Sequence, residues 1–168
     1  GKGALPDDHP LILGMTGFWG TKFINDKCKG ADWILGLGTR FSEADCSSWE
    51  EKYTFRMPPT KLIHIDIDPA EIGRNFPVAI GAVADLKGAL RVLNRVARKL
   101  APKGVQRPKL VAEMAANRKK FVAGNRKAME SAAWPMRPER ILADLRAAMP
   151  RDALLCTDVG WNKNGMAQ

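Results

Sequence analysis

Two carboxylates at the end of a buried strand are the side chains best placed for chemistry in this chain. Asp66 and Asp68 close a dense apolar run within the segment KLIHIDIDPAEIGRN, residues 61–75. In open α/β sheets, ligands bind beyond the carboxyl ends of parallel strands, where an acidic residue commonly accepts hydrogen bonds from ribose hydroxyls. The pattern therefore predicts a nucleotide-type site. A metal pair or an acid/base pair is the alternative, although the sequence suggests no third oxygen ligand.

Two glycine-rich turns follow other predicted strands. Gly14, Gly17 and Gly20 precede a short helix, where backbone N–H groups could approach a phosphate; close packing of strand on helix explains the glycines equally well. Gly38 and Arg40 follow the second strand, and Arg40 could clamp a phosphate, stack on a ring or be an ordinary surface arginine on a turn. Because the ends of parallel strands share one edge of a sheet, all these residues converge and strengthen the prediction of a nucleotide site.

Alternating strands and helices must position these residues. The pattern predicts a three-layer α/β/α domain, Rossmann-like, with a parallel sheet of about six strands. His64, inside the third strand, is interpreted as a hydrogen-bonded core residue. The predicted strands are residues 11–13, 33–37, 61–67, 78–83 and 153–156, and the predicted helices are 21–28, 70–75, 86–100, 109–132 and 139–149, with an irregular segment over 42–60.

Composition narrows the class of protein. The 168 residues carry a net charge of +9, and no apolar run is long enough to span a membrane. The charge is concentrated over residues 87–127, which hold thirteen Lys or Arg against one acid, Glu113. A solvated or docking helical face explains this segment better than nucleic-acid binding, because aromatic residues are not interleaved with the charges. Three scattered cysteines indicate a reduced, cytoplasmic protein without a metal site.

Four motifs, in order and over about ninety residues, resemble a known family. They are GKGALPDDHPLILGMTGFWGT, ADWILGLGTRF, KLIHIDIDPAEIGRNFPV and ADLKGAL. Together they resemble the central domain of thiamine diphosphate-dependent enzymes, closest to the acetolactate synthase branch. Residues 138–168 resemble the start of the family's pyrophosphate-binding domain. The resemblance implies a central domain at 1–100, a basic helical linker at 101–137 and a truncated domain start at 138–168.

The resemblance also implies what this stretch does not do by itself. The family's catalytic glutamate and its Gly-Asp-Gly motif for Mg²⁺ and diphosphate lie in parts without a counterpart here. We therefore expect no catalytic residue in this chain and no activity of the segment alone. A larger parent, a dimer or tetramer, would use thiamine diphosphate and Mg²⁺ to form or cleave C–C bonds of 2-oxo acids, as a transferase or lyase. Its other domains would be the partners, with no nucleic acid and no membrane.

In the acetolactate synthase branch the central domain holds FAD in a structural role. Carried over by motif, the expected FAD or ADP contacts are Thr16, Gly17, Phe18, Trp19, Gly38, Thr39, Arg40, Asp66, Ile67, Asp68, Glu71, Ile72 and Asp85. Val159, Gly160, Trp161 and Asn162 fall where the family begins to contact thiamine diphosphate.

Several positions depart from the flavin pattern of the branch. Phe18-Trp19 stands where the branch has Met-His, Ser42 and Ala44 replace an acidic and a basic residue, and Ala84 replaces glycine. FAD, ADP and an empty crevice therefore stay open as alternatives. Trp161-Asn162 replaces Gln-His, so the parent's substrate is not assigned to pyruvate. A stand-alone nucleotide-binding or regulatory module without a catalytic parent is the rival function.

Overall fold

A parallel three-stranded sheet organises the middle of the chain. The computed structural model describes residues 3–158, 160 and 165. Its strands are β1 (Trp33–Leu37), β2 (Lys61–Asp66) and β3 (Ile80–Val83), in the spatial order β1-β2-β3. The predicted α/β class and parallel sheet are thus confirmed for the described residues. The predicted count of about six strands is not confirmed.

Five α-helices and one short 3₁₀ helix complete the described structure. Thr21 caps the first α-helix by accepting a hydrogen bond from the N–H of Ile24, and Pro138 opens the last one, where the missing N–H costs nothing. The 3₁₀ helix spans Gly17–Trp19, and the α-helices are α1 (Lys22–Lys29), α2 (Glu43–Cys46), α3 (Leu86–Leu100), α4 (Pro108–Met129) and α5 (Pro138–Ala148). The predictions for β1 and α3 were correct to the residue.

The predicted helix over residues 70–75 was wrong. This segment forms successive turns, in which the N–H of Glu71 binds the carbonyl of Asp68 and the N–H of Arg74 binds that of Glu71. Gly73 lies at φ +76° and donates its N–H to Nδ1 of His64, so the helical ladder cannot continue.

The predicted strands at 11–13 and 153–156 were also wrong. Residues 11–13 form no strand; the carbonyl of Ile12 accepts a hydrogen bond from Arg118 instead of pairing with a strand. At 153–156 an apolar run lacks a neighbouring strand among the described residues, and a strand needs one to satisfy its backbone groups.

One face of the sheet carries the hydrophobic core. Leu62 and His64 point to this face from β2 and are about 1% exposed each. Around them, Phe41 makes edge-to-face ring contacts with Phe55 and Phe76 at centroid distances of 5.5 and 5.6 Å. The buried cluster consists of Phe41, Cys46, Phe55, Met57, Leu62 and Phe76. The loop between β1 and β2, rather than a long helix, therefore supplies most of the core.

The opposite face of the sheet is only partly covered. The strand register places Leu35, Ile63 and Ile80 in one row across this face. Leu35 and Ile80 are 48% and 53% exposed, and α3 has no buried residue. Ile65 on the same face is 6% exposed, so the three-layer prediction holds fully for one face of the sheet and in part for the other.

The chain divides into two compact units. One unit is Met15–Arg107 and contains the sheet; the other combines the described residues of Gly1–Gly14 and Pro108–Gln168. In the second unit, Arg118 of α4 donates hydrogen bonds to the backbone carbonyls of Asp7, Asp8, His9 and Ile12. Arg151 also pairs with Asp8, and this ion pair lowers the pKa of the Asp8 carboxyl. None of the described helices has the length and apolar character needed to cross a membrane.

Gly17 allows the 3₁₀ helix to pack tightly on α2. Its φ is +68°, and a Cβ added there would lie 2.2 Å from the backbone carbon of Asp45 and 2.4 Å from the carbonyl oxygen of Ala44. Its N–H donates to Oδ1 of Asn25 at 2.9 Å, while Nδ2 of Asn25 donates to its carbonyl at 3.0 Å. The close-packing interpretation of this glycine is therefore supported.

Replacing Gly17 by alanine should destabilise the protein by at least about 2 kcal/mol, because the added methyl meets backbone atoms and the left-handed φ disfavours Cβ. Gly88→Ala is the matched control, since a Cβ there meets only Oδ1 of Asp85 at 3.6 Å. Urea unfolding of both variants measures the difference. Equal stability of the two variants would contradict this account of Gly17.

The Arg118→Ala variant should loosen residues 7–12, because one guanidinium ties four of their carbonyls to α4. Hydrogen exchange at the amides of His9 and Ile12 should accelerate by about tenfold, as expected for the loss of charged hydrogen bonds at an exposed site. Lys119→Ala is the control, since the side chain of Lys119 is exposed and forms no hydrogen bond or ion pair with the described residues. Unchanged exchange in Arg118→Ala would show that the guanidinium does not hold this segment.

Candidate functional site

The carboxyl ends of the three strands lie side by side at one edge of the sheet. In the register, Leu37 at the end of β1 is opposite Ile65, and Asp66 at the end of β2 is opposite Val83 of β3. The segments that follow these strands therefore start at the same edge. The structure thus brings together the segments that carry Arg40, Asp66 and Asp85.

Asp66 and Asp68 shape the turn after β2 and keep acceptor capacity. Oδ1 of Asp66 accepts the N–H of Asp68 at 3.0 Å, and Oδ1 of Asp68 accepts the N–H of Ala70 at 2.9 Å. Asp66 is 8% exposed, whereas Asp68 is exposed. Neither side chain has another hydrogen-bond or ionic partner among the described residues. Each aspartate thus holds its turn with one oxygen and leaves the second available.

Glu71 has one carboxylate oxygen with a partner and one without. Oε1 forms an ion pair with Arg74 at 2.9 Å, in a side chain that is 11% exposed. Oε2 is buried and has no hydrogen-bond partner among the described residues. A buried carboxylate oxygen without a donor is costly, so it favours a ligand that could supply one.

The two isoleucines of this segment have different surroundings. Ile67 is 70% exposed directly after β2. Ile72 covers the backbone of β3, where a Cβ on Gly81 would come within 2.7 Å of its Cγ2. Ile67 is therefore available to an apolar ligand surface, whereas Ile72 contributes to the packing of the edge.

Hydrogen bonds and packing hold the backbone of the loop after β1. The N–H of Gly38 donates to the carbonyl of Ile65 at 2.8 Å, and Gly38 lies at φ +55° against Leu86. The N–H of Phe41 donates to Oγ1 of Thr39 at 3.2 Å, and Nε1 of Trp49 donates to the carbonyl of Phe41 at 2.8 Å. The backbone N–H of Gly38 is therefore already used and does not form a phosphate cradle.

The side chain of Arg40, by contrast, is not engaged. Arg40 is exposed, and its guanidinium makes no hydrogen bond or ion pair with the described residues. Because the backbone of this loop is already fixed, binding of an anion would restrict only the side chain of Arg40. The geometry of the loop thus suits an anion-binding role for this arginine.

His64 links the core to this loop. Its Nδ1 accepts the N–H of Gly73 at 3.4 Å, so the proton resides on Nε2, which lies 2.9 Å from the carbonyl of Thr39. The ring is 1% exposed and contacts Phe41 edge-to-face at 5.4 Å. The prediction of a hydrogen-bonded core histidine is confirmed.

The turn Thr16–Trp19 is built mainly by packing. Oγ1 of Thr16 donates to the carbonyl of Asp45 at 3.0 Å. The rings of Phe18 and Trp19 stand edge-to-face at 4.9 Å, and Phe18 is 66% exposed. The 3₁₀ helix packs on α2, which follows the Arg40 loop directly in the chain. Phe18 therefore offers an exposed aromatic face, while the N–H of Gly17 is committed to Asn25.

The remaining predicted site residues are a helix cap, one residue of the second unit and three residues that the structure does not describe. Asp85 caps α3, with Oδ1 accepting the N–H of Gly88 at 2.9 Å. Gly160 is an exposed bend in the second unit. Val159, Trp161 and Asn162 lie outside the described residues.

Two asparagines that hold the site loops were missed by the sequence reasoning. Asn25 binds both backbone groups of Gly17, and Nδ2 of Asn75 donates to the carbonyls of Arg40 and Phe41 at 2.9 and 3.2 Å. Asn75 is the last residue of the segment 61–75. Its partner Arg40 is 35 residues away, so the local sequence gives no signal of this hydrogen bond.

Cys28 and Cys46 do not resemble nucleophiles. Burial raises the pKa of the Cys28 thiol to about 11, and burial together with Asp45 raises that of Cys46 to about 12. Both thiols stay protonated at neutral pH and are poor nucleophiles. Among the described residues, no group of three or more His, Cys, Asp or Glu could hold a metal ion.

Comparison with known proteins gives a consistent result. The model of the thiamine pyrophosphate enzyme central domain matches residues 1–93. A probable acetolactate synthase large subunit of Methanocaldococcus jannaschii is 35% identical over 99% of this chain and 28% of its own length. A glyoxylate carboligase of Escherichia coli O157:H7 is 32% identical over 100% of this chain and 28% of its own length.

A third relative has a higher identity over a shorter stretch. It is an acetolactate synthase large subunit of Haemophilus influenzae, 43% identical over 54% of this chain and 15% of its own length. The chain thus spans less than a third of the length of these relatives. Since the family model covers more than half of the chain, and the motifs lie on the strand ends described above, the chain belongs to the thiamine pyrophosphate enzyme family, with that family's central domain at residues 1–93.

Proposed function

We propose that the sheet unit is the nucleotide-binding central domain of a thiamine diphosphate-dependent enzyme that forms or cleaves C–C bonds next to the carbonyl of a 2-oxo acid. The relatives named as acetolactate synthases and a glyoxylate carboligase support this class of reaction. They extend well beyond the matched stretch, which favours this proposal over a stand-alone module. The other domains of such an enzyme, in a dimer or tetramer, would be the partners of this unit.

One observation carries the assignment of the nucleotide site. At one edge of the sheet, the guanidinium of Arg40 and the second oxygens of Asp66 and Asp68 have no partner among the described residues. A nucleotide offers both missing partners, since its phosphates bind a guanidinium and its ribose hydroxyls donate to carboxylates.

Other groups of the sheet unit fit the same ligand. The buried Oε2 of Glu71 lacks a donor, which a ribose hydroxyl or an amino group could provide. Phe18 and Ile67 expose apolar surface suited to a flat ring. We infer that the ligand is FAD or ADP and that its role is structural.

The chain's own residues do no chemistry in this proposal. Thiamine diphosphate, with Mg²⁺, would supply the carbanion chemistry in the full enzyme. The sheet unit would bind and orient the nucleotide. The fixed loops at the sheet edge would keep the shape of the binding site constant between turnovers.

Titration of the 168-residue chain with FAD, ADP and thiamine diphosphate tests the proposal. FAD or ADP should raise the melting temperature in a concentration-dependent way, because each binds only the native state. Thiamine diphosphate should produce no shift, since its site needs other domains. Absence of a shift with both FAD and ADP would refute the nucleotide site.

Arg40→Gln should weaken nucleotide binding by about 10- to 100-fold without loss of stability, because it removes a charge-assisted bond to a phosphate. Calorimetric titration gives the dissociation constants. Arg95→Gln on α3 is the matched control, an exposed arginine without an ion pair among the described residues. Equal affinities of the two variants would remove Arg40 from the site.

A further inference from the structure

Two side chains join the loops that border the candidate site: the buried His64 ring, between Gly73 and the carbonyl of Thr39, and the amide of Asn75. Asn75 ends the turn that follows β2, the same turn that holds Asp68 and Glu71. Its Nδ2 donates to the carbonyl of Arg40 at 2.9 Å and to that of Phe41 at 3.2 Å. One amide group thus bridges the acidic turn and the arginine loop.

The bridged loop is held in a strained conformation. Phe41 has φ 47°, a left-handed conformation that residues with a Cβ rarely adopt. Strain of this kind persists only where the surroundings over-determine the backbone, and it clusters at ligand-binding sites. The ring of Phe41 is fixed in the core, but the carbonyls of Arg40 and Phe41 need donors of their own.

Asn75 and Phe76 fix different parts of the loop after β1. The ring of Phe76 packs edge-to-face on that of Phe41 at 5.6 Å and fixes the side chain. The amide of Asn75 fixes the two carbonyls, and the indole of Trp49 adds a second donor to Phe41. The backbone of Arg40 has only the Asn75 amide as a partner among the described residues.

We propose that Asn75 is a positioning residue of this site: its side-chain amide couples the turn after β2 to the carbonyl of Arg40 in the loop after β1 and so holds Arg40 in its ligand-binding position. The role in binding rests on the proposed nucleotide function. The coupling of the two loops does not depend on it. Asn75 acts through Arg40 and is not itself assigned a contact with the ligand.

Variants of Asn75 test the coupling without any ligand. Asn75→Ala removes both hydrogen bonds, and Asn75→Asp keeps the shape but places carboxylate oxygens against two carbonyls. Hydrogen exchange at the amides of Gly38 and Phe41 should accelerate by about tenfold in both variants. Asn94→Ala on α3, an exposed asparagine, is the matched control. If a variant does not fold, Asn75→Ser, which keeps one donor, replaces it.

A double-mutant cycle tests the action through Arg40. Asn75→Ala should raise the dissociation constant for FAD or ADP by about tenfold in the native background and by less than twofold in the Arg40→Gln background. A merely structural role would lower the melting temperature and leave the two effects additive.

The outcomes separate this inference from the proposed function. If the unaltered chain binds neither nucleotide, the proposed function fails together with the role of Asn75 in binding, while the exchange data still decide the coupling. If the chain binds and the cycle is additive, the nucleotide site stands and the positioning role is overturned. Unchanged exchange at Gly38 and Phe41 overturns the coupling in either case.

Discussion

The packing of the Phe41 ring is the interaction on which the sheet unit depends. The ring meets Phe55, His64 and Phe76 edge-to-face, at centroid distances between 5.4 and 5.6 Å. Such contacts add to the free energy gained by burying large aromatic surface. Through the Phe41 ring, they hold together the loop after β1, the residues just before β2 and the segment after β2. The same contacts hold a left-handed backbone next to Arg40, so core stability and the shape of the candidate site are set together.

This arrangement leaves side chains, rather than a glycine-lined backbone, to meet a ligand. The N–H groups of Gly17 and Gly38 are bonded within the unit, and Gly17 approaches backbone atoms of α2 that no Cβ could tolerate. The groups that remain available are the guanidinium of Arg40 and carboxylate oxygens of Asp66, Asp68 and Glu71. These groups complement a ligand that bears both negative charge and hydrogen-bond donors, which is the chemical basis of the nucleotide site proposed above.

The basic part of the chain has a different role in the two units. On α4, Arg118 uses its charge internally, by binding four carbonyls of residues 7–12. On α3, the lysines and arginines are exposed and form no ion pairs with the described residues. The thirteen basic residues of 87–127 therefore include one arginine with a structural role and others that are solvated.

The apolar row Leu35, Ile63 and Ile80 shows that the sheet unit retains hydrophobic surface beyond its own core.

Local sequence patterns by themselves determined the parallel α/β class, the bounds of β1 and α3, the core position of His64 and the family. The fold class and the element bounds depend on periodicity and capping within a few residues, and the family depends on the order of four motifs along the chain. Tertiary structure alone decided three other matters. Residues 11–13 and 153–156 are apolar runs that become strands only beside another strand. Gly73 ends the expected helix because its N–H reaches His64. Asn75 holds Arg40 from 35 residues away, because a hydrogen bond between distant segments depends on the folded path of the chain and leaves no periodic trace in the sequence.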